Sequence, residues 1–285
     1  MPKFPIVDAH VHLYDVQRFS YGWLAGVPKI NRTYLLEDFD KARGAVVVDK
    51  IVFAEVAVDP GLYLGEAGFI QELADKDPRL CGIVAHLALE KGIAIESDIV
   101  ALKKLRNICG IRRLIETERN PAFCLEPHFI AALRLLPKHD LTFDICVKHT
   151  AMAYALELVK RCPEVSFVLD HIGKPDIKNG LREPWWSQIK ELARYPNVVC
   201  KVSGVITEAD HQKWTADQVK PYVAHVIECF GFDRVMHGSD WTVSELSHAY
   251  PAWVDIVDDV VKGANDAELH KLYRYTAIRT YRLSN

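Results

Sequence analysis

Eight short apolar runs, with helix-period stretches between them, constrain the fold of this chain more than any other feature. The runs fall at 4–8 (FPIVD), 51–56 (IVFAEV), 80–86 (LCGIVAH), 108–115 (ICGIRRLI), 142–147 (TFDICV), 165–170 (VSFVLD), 197–203 (NVVCKVS) and 234–238 (RVMHG). Their Val, Ile, Leu, Phe and Cys residues are nearly continuous rather than alternating, as in parallel strands covered on both faces. Helical periodicity is read at 66–76, 95–105, 127–138, 151–162, 185–195, 215–230, 248–262 and 266–281. Start signals support several of these, such as Pro127 in a first turn and Thr215 with Asp217 ahead of an apolar stripe. Parallel strands need a crossover helix, so the alternation predicts an α/β fold, a single-domain (β/α)₈ TIM barrel over residues 1–285. A doubly wound open sheet is the competing fold, but no G-x-G-x-x-G follows the first strand to support it. The 285 residues suit one barrel, whose usual size is about 250.

The remaining composition narrows the class of partner. A formal charge of −3, with Lys and Arg scattered, argues against nucleic acid or an anionic membrane surface. No run of ~18 apolar residues is present, and MPKFPIVDAH enters the first strand directly instead of forming a secretory leader. The seven cysteines are odd in number and include no C-x-x-C pair, the usage of a reduced, cytoplasmic protein. A small-molecule substrate is expected, and the composition is equally compatible with a homo-oligomer.

Two polar cassettes close strands at opposite ends of the chain, DAHVH at 8–12 and HGSDW at 237–241. His10 and His12 stand at i, i+2, so on an extended strand their imidazoles share a side and can grip one metal ion or one carbonyl oxygen. The plainer alternative is two histidines capping a strand end. Asp240 is the candidate general base, able to take a proton from water and return it to a departing oxygen; an N-cap role is the alternative. Catalytic groups of such barrels sit at the C-terminal strand ends. There the chain also carries Glu55, His86, Arg112, Arg113, Glu116, Glu118, Lys148, His149, Asp170, His171, Lys201, Ser203 and Trp241.

Together these residues resemble the amidohydrolase superfamily, whose pattern is H-x-H after strand one, histidines after strands five and six, and aspartate after strand eight. GIRRLIETE (110–118), FVLDHIGKP (167–175), NVVCKVSGVITEAD (197–210) and MHGSDWTV (236–243) look like the amidohydrolase-related group of sugar-acid lactonases. That group includes L-fucono-1,5-lactonase and L-rhamnono-lactonase. Three departures stand out: Arg112-Arg113 where the group usually has Arg-His, His237 and Thr242 where it has Phe and Pro, and Lys148-His149-Thr150 at a variable segment.

The resemblance implies hydrolysis of an aldono-lactone by Asp240 with His10, His12 and His171 at the carbonyl. It implies substrate contacts from Arg112, Glu118 (in preference to Glu116) and His149. The aromatic residues of the long loop at 14–33, Trp23 among them, and Trp241 could stack on a sugar ring. Asp170 is expected to point away from the pocket, His237 to pack, and His86 to line the pocket or fill the core. With no lysine in ICGIRRLIE, a binuclear centre is not expected. One divalent ion, zinc by donor type, held by His10, His12, His171 and Asp240, is the implied cofactor, with metal-free catalysis as the other case. The competing activities are a dicarboxylate (pyrone-type) lactonase, a metal-dependent decarboxylase using the arginines, and a non-catalytic sugar-acid-binding protein.

Overall fold

The computed structural model describes residues 2–284. All eight strands form: β1 (Ile6–Val11), β2 (Val48–Ala54), β3 (Leu80–His86), β4 (Ile108–Arg112), β5 (Thr142–Ile145), β6 (Phe167–Leu169), β7 (Val198–Val202) and β8 (Val235–His237). They lie side by side in sequence order in one sheet, and every neighbouring pair is parallel. Beyond the strand ends, Val11 bridges Trp241 in the parallel sense, and the Asp240 amide donates to the His10 carbonyl at 2.9 Å. The last strand thus returns to the first, and the sheet forms a (β/α)₈ barrel.

Helices α1 (Leu36–Arg43), α2 (Tyr63–Ala74), α3 (Glu96–Leu102), α4 (Pro127–Leu133), α5 (Met152–Arg161), α6 (Trp185–Leu192) and α7 (Ala216–Phe230) make the crossovers, and α8 (Tyr250–Val260), α9 (Asp266–His270) and α10 (Thr276–Tyr281) follow β8. Most were visible as apolar stripes. In α5, Met152, Ala155, Leu158 and Val159 recur at helical spacing and are all buried. Helix α1 was not expected, and its residues explain why. LEDFDKAR buries only Phe39, so it has no apolar period; its start is held by the Leu35 amide donating to the Asp38 carboxylate at 3.1 Å. The single helix read at 266–281 is α9 and α10 joined by a π-helical turn at Lys271–Tyr275. No helix among the described residues is long and apolar enough to cross a membrane. All seven cysteines are unpaired.

Two apolar layers sandwich the strands. The larger lies between sheet and helices. The smaller fills the N-terminal end of the barrel, where Val7, Ala9, Val52, Val84, Val168 and Met236 meet Tyr281 and Leu283 from the chain terminus. Above this plug the barrel interior is ionic. The Tyr281 hydroxyl donates to Asp144 at 2.6 Å, and Lys201 Nζ lies 2.7 Å from Asp144 and 3.0 Å from Asp170. Arg112 then reaches Asp170 at 3.2 Å and Glu55 at 2.8 Å. Burial works against the Lys201 ammonium, but Asp144 and Asp170 outweigh it and keep it charged. Such a buried column stabilises little by itself, since desolvation offsets the attraction; removing one member leaves an uncompensated charge.

Candidate active site

A register shift in β1 between Asp8 and Val11 marks a bulge. Asp8 turns outward, where its carboxylate accepts the Tyr250 hydroxyl at 2.9 Å, the Ser239 amide at 2.8 Å and the His10 amide at 3.2 Å. His10, past the bulge, turns into the barrel beside His12, with ring centroids 4.9 Å apart. Asp8 therefore ties the bulge to the segment after β8, bringing the two polar cassettes together.

Asp240 is the hub. Its Oδ1 lies 3.2 Å from Nε2 of His12, 3.8 Å from Nε2 of His10 and 3.8 Å from Nε2 of His171. His12 is oriented by Nδ1 donating to the Ala54 carbonyl at 2.9 Å, and His171 by Ser203 Oγ, 2.9 Å from its Nδ1. Both Asp240 (φ +59°) and His171 (φ +52°) are in the left-handed region, which side-chain-bearing residues enter at a cost. Beneath them runs Gly204 at φ +57°, where a Cβ would stand 2.6 Å from His171 Nδ1 and 2.7 Å from Asp240 Oδ2. Only glycine leaves the pair its space.

Charge states follow from this packing. Burial raises the Asp240 carboxyl, but His171, His12 and His10 together overcome it and hold it below the usual carboxylate range. Burial lowers His171 to about 4 despite the nearby Asp240 and Asp170. Burial, then Lys201, lower His10 well below its ordinary value. At neutral pH the Asp240 carboxylate stands beside neutral imidazoles at His10 and His171, with Arg112 Nη1 3.2 Å from His10 Nε2.

Above the hub opens a cleft of about 250 Å³, lined by His12, Trp23, Arg112, His171 and Asp240 together with Glu116, Lys174 and Cys146. Trp23 presents its ring there while its indole N–H donates to the Val56 carbonyl at 2.8 Å. Lys174 grips both oxygens of Glu116 at 2.7 Å. Burial disfavours its charge, yet the carboxylates of Glu116, Glu208 and Asp240 outweigh that and hold the ammonium protonated.

Three expected substrate contacts stand elsewhere. Glu118 is paired with Arg113 at 2.7 Å in a neighbouring space, and Glu116 takes the place in the cleft. His149 Nδ1 lies 3.1 Å from the Lys174 carbonyl, bracing the loop after β6. Trp241 is fully buried against Tyr34 and Phe39, its N–H donating to Glu245 at 2.9 Å. Asp170 lies inside the barrel between Arg112 and Lys201 and does not line the cleft. Alternation from the inward-facing Val168 turns Asp170 inward, and the left-handed break at His171 and Ile172 keeps His171 at the site where alternation alone would turn it outward. His237 packs beside Tyr273 at 5.2 Å, as expected. Lys174 was overlooked although it lies in the same DHIGKP run as His171; a charged residue three positions past a site histidine was the available signal.

One divalent ion can be tested against these donors. His12 commits Nδ1–H to a carbonyl, so in the neutral ring Nε2 is a lone pair facing a carboxylate oxygen. Two acceptors 3.2 Å apart need a proton or a metal ion between them. Among the described residues, His10, His12 and Asp240 form one trio with ligand atoms within 4.8 Å of one another, and His10, Asp170 and His171 form another. The first trio fits a metal ion, although Arg112 contests the His10 lone pair. The four expected ligands are thus split between two overlapping groups.

A barrel with histidines and an aspartate gathered at the C-terminal strand ends has the layout of a barrel enzyme's active site. The amidohydrolase family (Amidohydro_2) matches residues 7–283, and the chain belongs to that family. It is 29% identical over 303 residues to the uncharacterized protein y4mH of Sinorhizobium fredii, covering 99% of this chain and 100% of the relative. It is also 29% identical over 252 residues to an L-fucono-1,5-lactonase of Burkholderia ambifaria, covering 87% and 85%. A crystal structure of an amidohydrolase from Burkholderia multivorans with bound zinc superposes with a TM-score of 0.89 at 26% identity, covering 99% and 100%.

Proposed function

We propose that the protein hydrolyses a sugar-acid (aldono) lactone to the free acid. The observation that carries this reading is the Asp240 carboxylate at the floor of the cleft, within 3.2–3.8 Å of three imidazole nitrogens. The likeness to an L-fucono-1,5-lactonase supports the substrate class.

In this mechanism the lactone carbonyl lies over the imidazoles and Asp240 takes a proton from water as the oxygen attacks the carbonyl carbon. The Nε2–H of His171, with Ser203 Oγ at its Nδ1, and the positive field of the buried Arg112 stabilise the developing oxyanion, usually the largest contribution in acyl transfer. Collapse breaks the ring C–O bond, and Asp240 returns its proton to the departing ring oxygen, giving a hydroxy acid. A divalent ion, zinc by donor type, would be held by His10, His12 and Asp240 with His171 alongside, and would supply Lewis acidity at the carbonyl. Trp23 offers a flat face for the sugar ring.

Charge supports a neutral lactone over a dicarboxylate or a decarboxylation substrate. A carboxylate clamp needs unengaged cations, whereas Arg112 is paired with Glu55 and Asp170. Lys174 is paired with Glu116, and Arg113 is turned to Glu90 and Glu118.

The test is acid release from a panel of aldono-1,4- and 1,5-lactones, followed with a pH indicator, with and without chelator. Turnover of one stereochemical series is expected, and the chelator arm reports the metal. Silence across the panel, with carbon dioxide released from aromatic acids instead, would overturn the reading.

A further inference from the structure

Beside the cleft lies a second space of about 370 Å³. The two meet at Ala57, Leu114 and Thr117, which line both. Ala57 is held at φ +50° with its amide donating to Glu55 Oε2 at 2.7 Å. A small residue in a strained backbone thus keeps the junction narrow-walled. Consecutive residues of one strand end serve the two sides, Arg112 facing the cleft and Arg113 facing the second space.

The second space is built as a polar recognition surface. Arg113 holds Glu90 at 3.0 Å and Glu118 at 2.7 Å, and its guanidinium lies 4.9 Å from the Phe123 ring. Both carboxylates are thereby fixed as hydrogen-bond acceptors. In the same lining, the Tyr63 and His86 rings stand 5.5 Å apart at 54°. Tyr63 is anchored by its hydroxyl donating to Asp98 at 2.9 Å. Glu90 and Glu118 are balanced in charge by Arg113 and Lys91. Rigid acceptors, an aromatic face and zero net charge match a hydroxyl-rich neutral group and disfavour an anion.

We propose that this space is a second subsite that binds a glycosyl group carried by the lactone, so that the preferred substrate is a glycosylated aldono-lactone. The proposal rests on the lactonase reading for its chemistry but not for its binding. The cleft takes the lactone ring, and the attached sugar passes Ala57 to lie against Tyr63.

Calorimetry with the stable open-chain products tests the subsite without turnover. An aldonate and the same aldonate bearing one glycosyl unit, such as gluconate and cellobionate, are titrated into the wild type and into Tyr63→Ala and Glu118→Gln. The glycosylated acid is expected to bind about tenfold more tightly, a difference of about 1.4 kcal/mol, and to lose that advantage in both variants, while affinity for the simple aldonate holds. Equal affinity for the two acids in the wild type, or an advantage surviving both substitutions, overturns the subsite. The parallel kcat/KM comparison of the corresponding lactones separates the two ideas: activity on simple lactones without preference sinks the subsite alone, and binding preference without any turnover sinks the lactonase reading alone.

Discussion

His12 Nε2 and Asp240 Oδ1 are 228 positions apart in the chain and 3.2 Å apart in space. The contact forms where the ends of β1 and β8 meet, and the chemistry proposed here depends on that closure.

Asp240→Asn removes the proton acceptor while keeping the side chain's shape. Loss of a general base typically costs about 10²–10⁴-fold in rate, so kcat on the preferred lactone should fall by that much with the thermal midpoint little changed. Near-wild-type turnover would take Asp240 out of the role.

Gly204→Ala tests the space beneath the pair. The added methyl would collide with His171 and Asp240 at a positive φ, displacing both. A misplacement of this kind is expected to lower kcat by about 10²-fold. Steady-state kinetics beside a circular dichroism spectrum would separate local disruption from global unfolding; unchanged kinetics would contradict the packing described.

His237 is buried with neither ring nitrogen hydrogen-bonded, and burial lowers it to about 4. The unfolded chain takes up this proton near pH 6.5 and the folded one only near 4, so the stability linked to neutral His237 is complete above 6.5 and is lost as pH falls through 4. The linkage amounts to about 3 kcal/mol across that window. His237→Phe should raise the denaturation midpoint and flatten its pH dependence between 6.5 and 4. An equally steep profile in the variant would assign the titration to another group.

Lys201→Met should be among the most damaging substitutions in the barrel. It strips Asp144 and Asp170 of the cation that both contact within 3.0 Å, and breaking a buried pair in this way costs about 3–5 kcal/mol. Tyr281→Phe removes only one hydrogen bond to Asp144 and should cost about 1 kcal/mol. Urea denaturation of the two variants should rank them in that order.

The barrel was legible in the chain because its causes are local and repeated. Nearly continuous apolar runs have one good solution, a sheet covered on both faces, and the intervening stripes supply the cover. His10, His12, His171 and Asp240 were legible for a similar reason: they end strands, and strand ends converge at one mouth. Helix α1 escaped because it buries a single side chain and so leaves no period.

What the linear order could not decide is which way each side chain turns after a strand breaks its alternation. The bulge in β1 sends Asp8 outward and His10 inward. The left-handed residues after β6 bring His171 to the hub and Lys174 into the cleft. Glu116 stands in the cleft and Glu118 in the space beside it, although they are two residues apart. Residue type and spacing determined the fold and the four residues at its mouth. The partners of each charge were decided only by the closed barrel, because those contacts join strands far apart in the chain and depend on backbone conformations that no periodicity encodes.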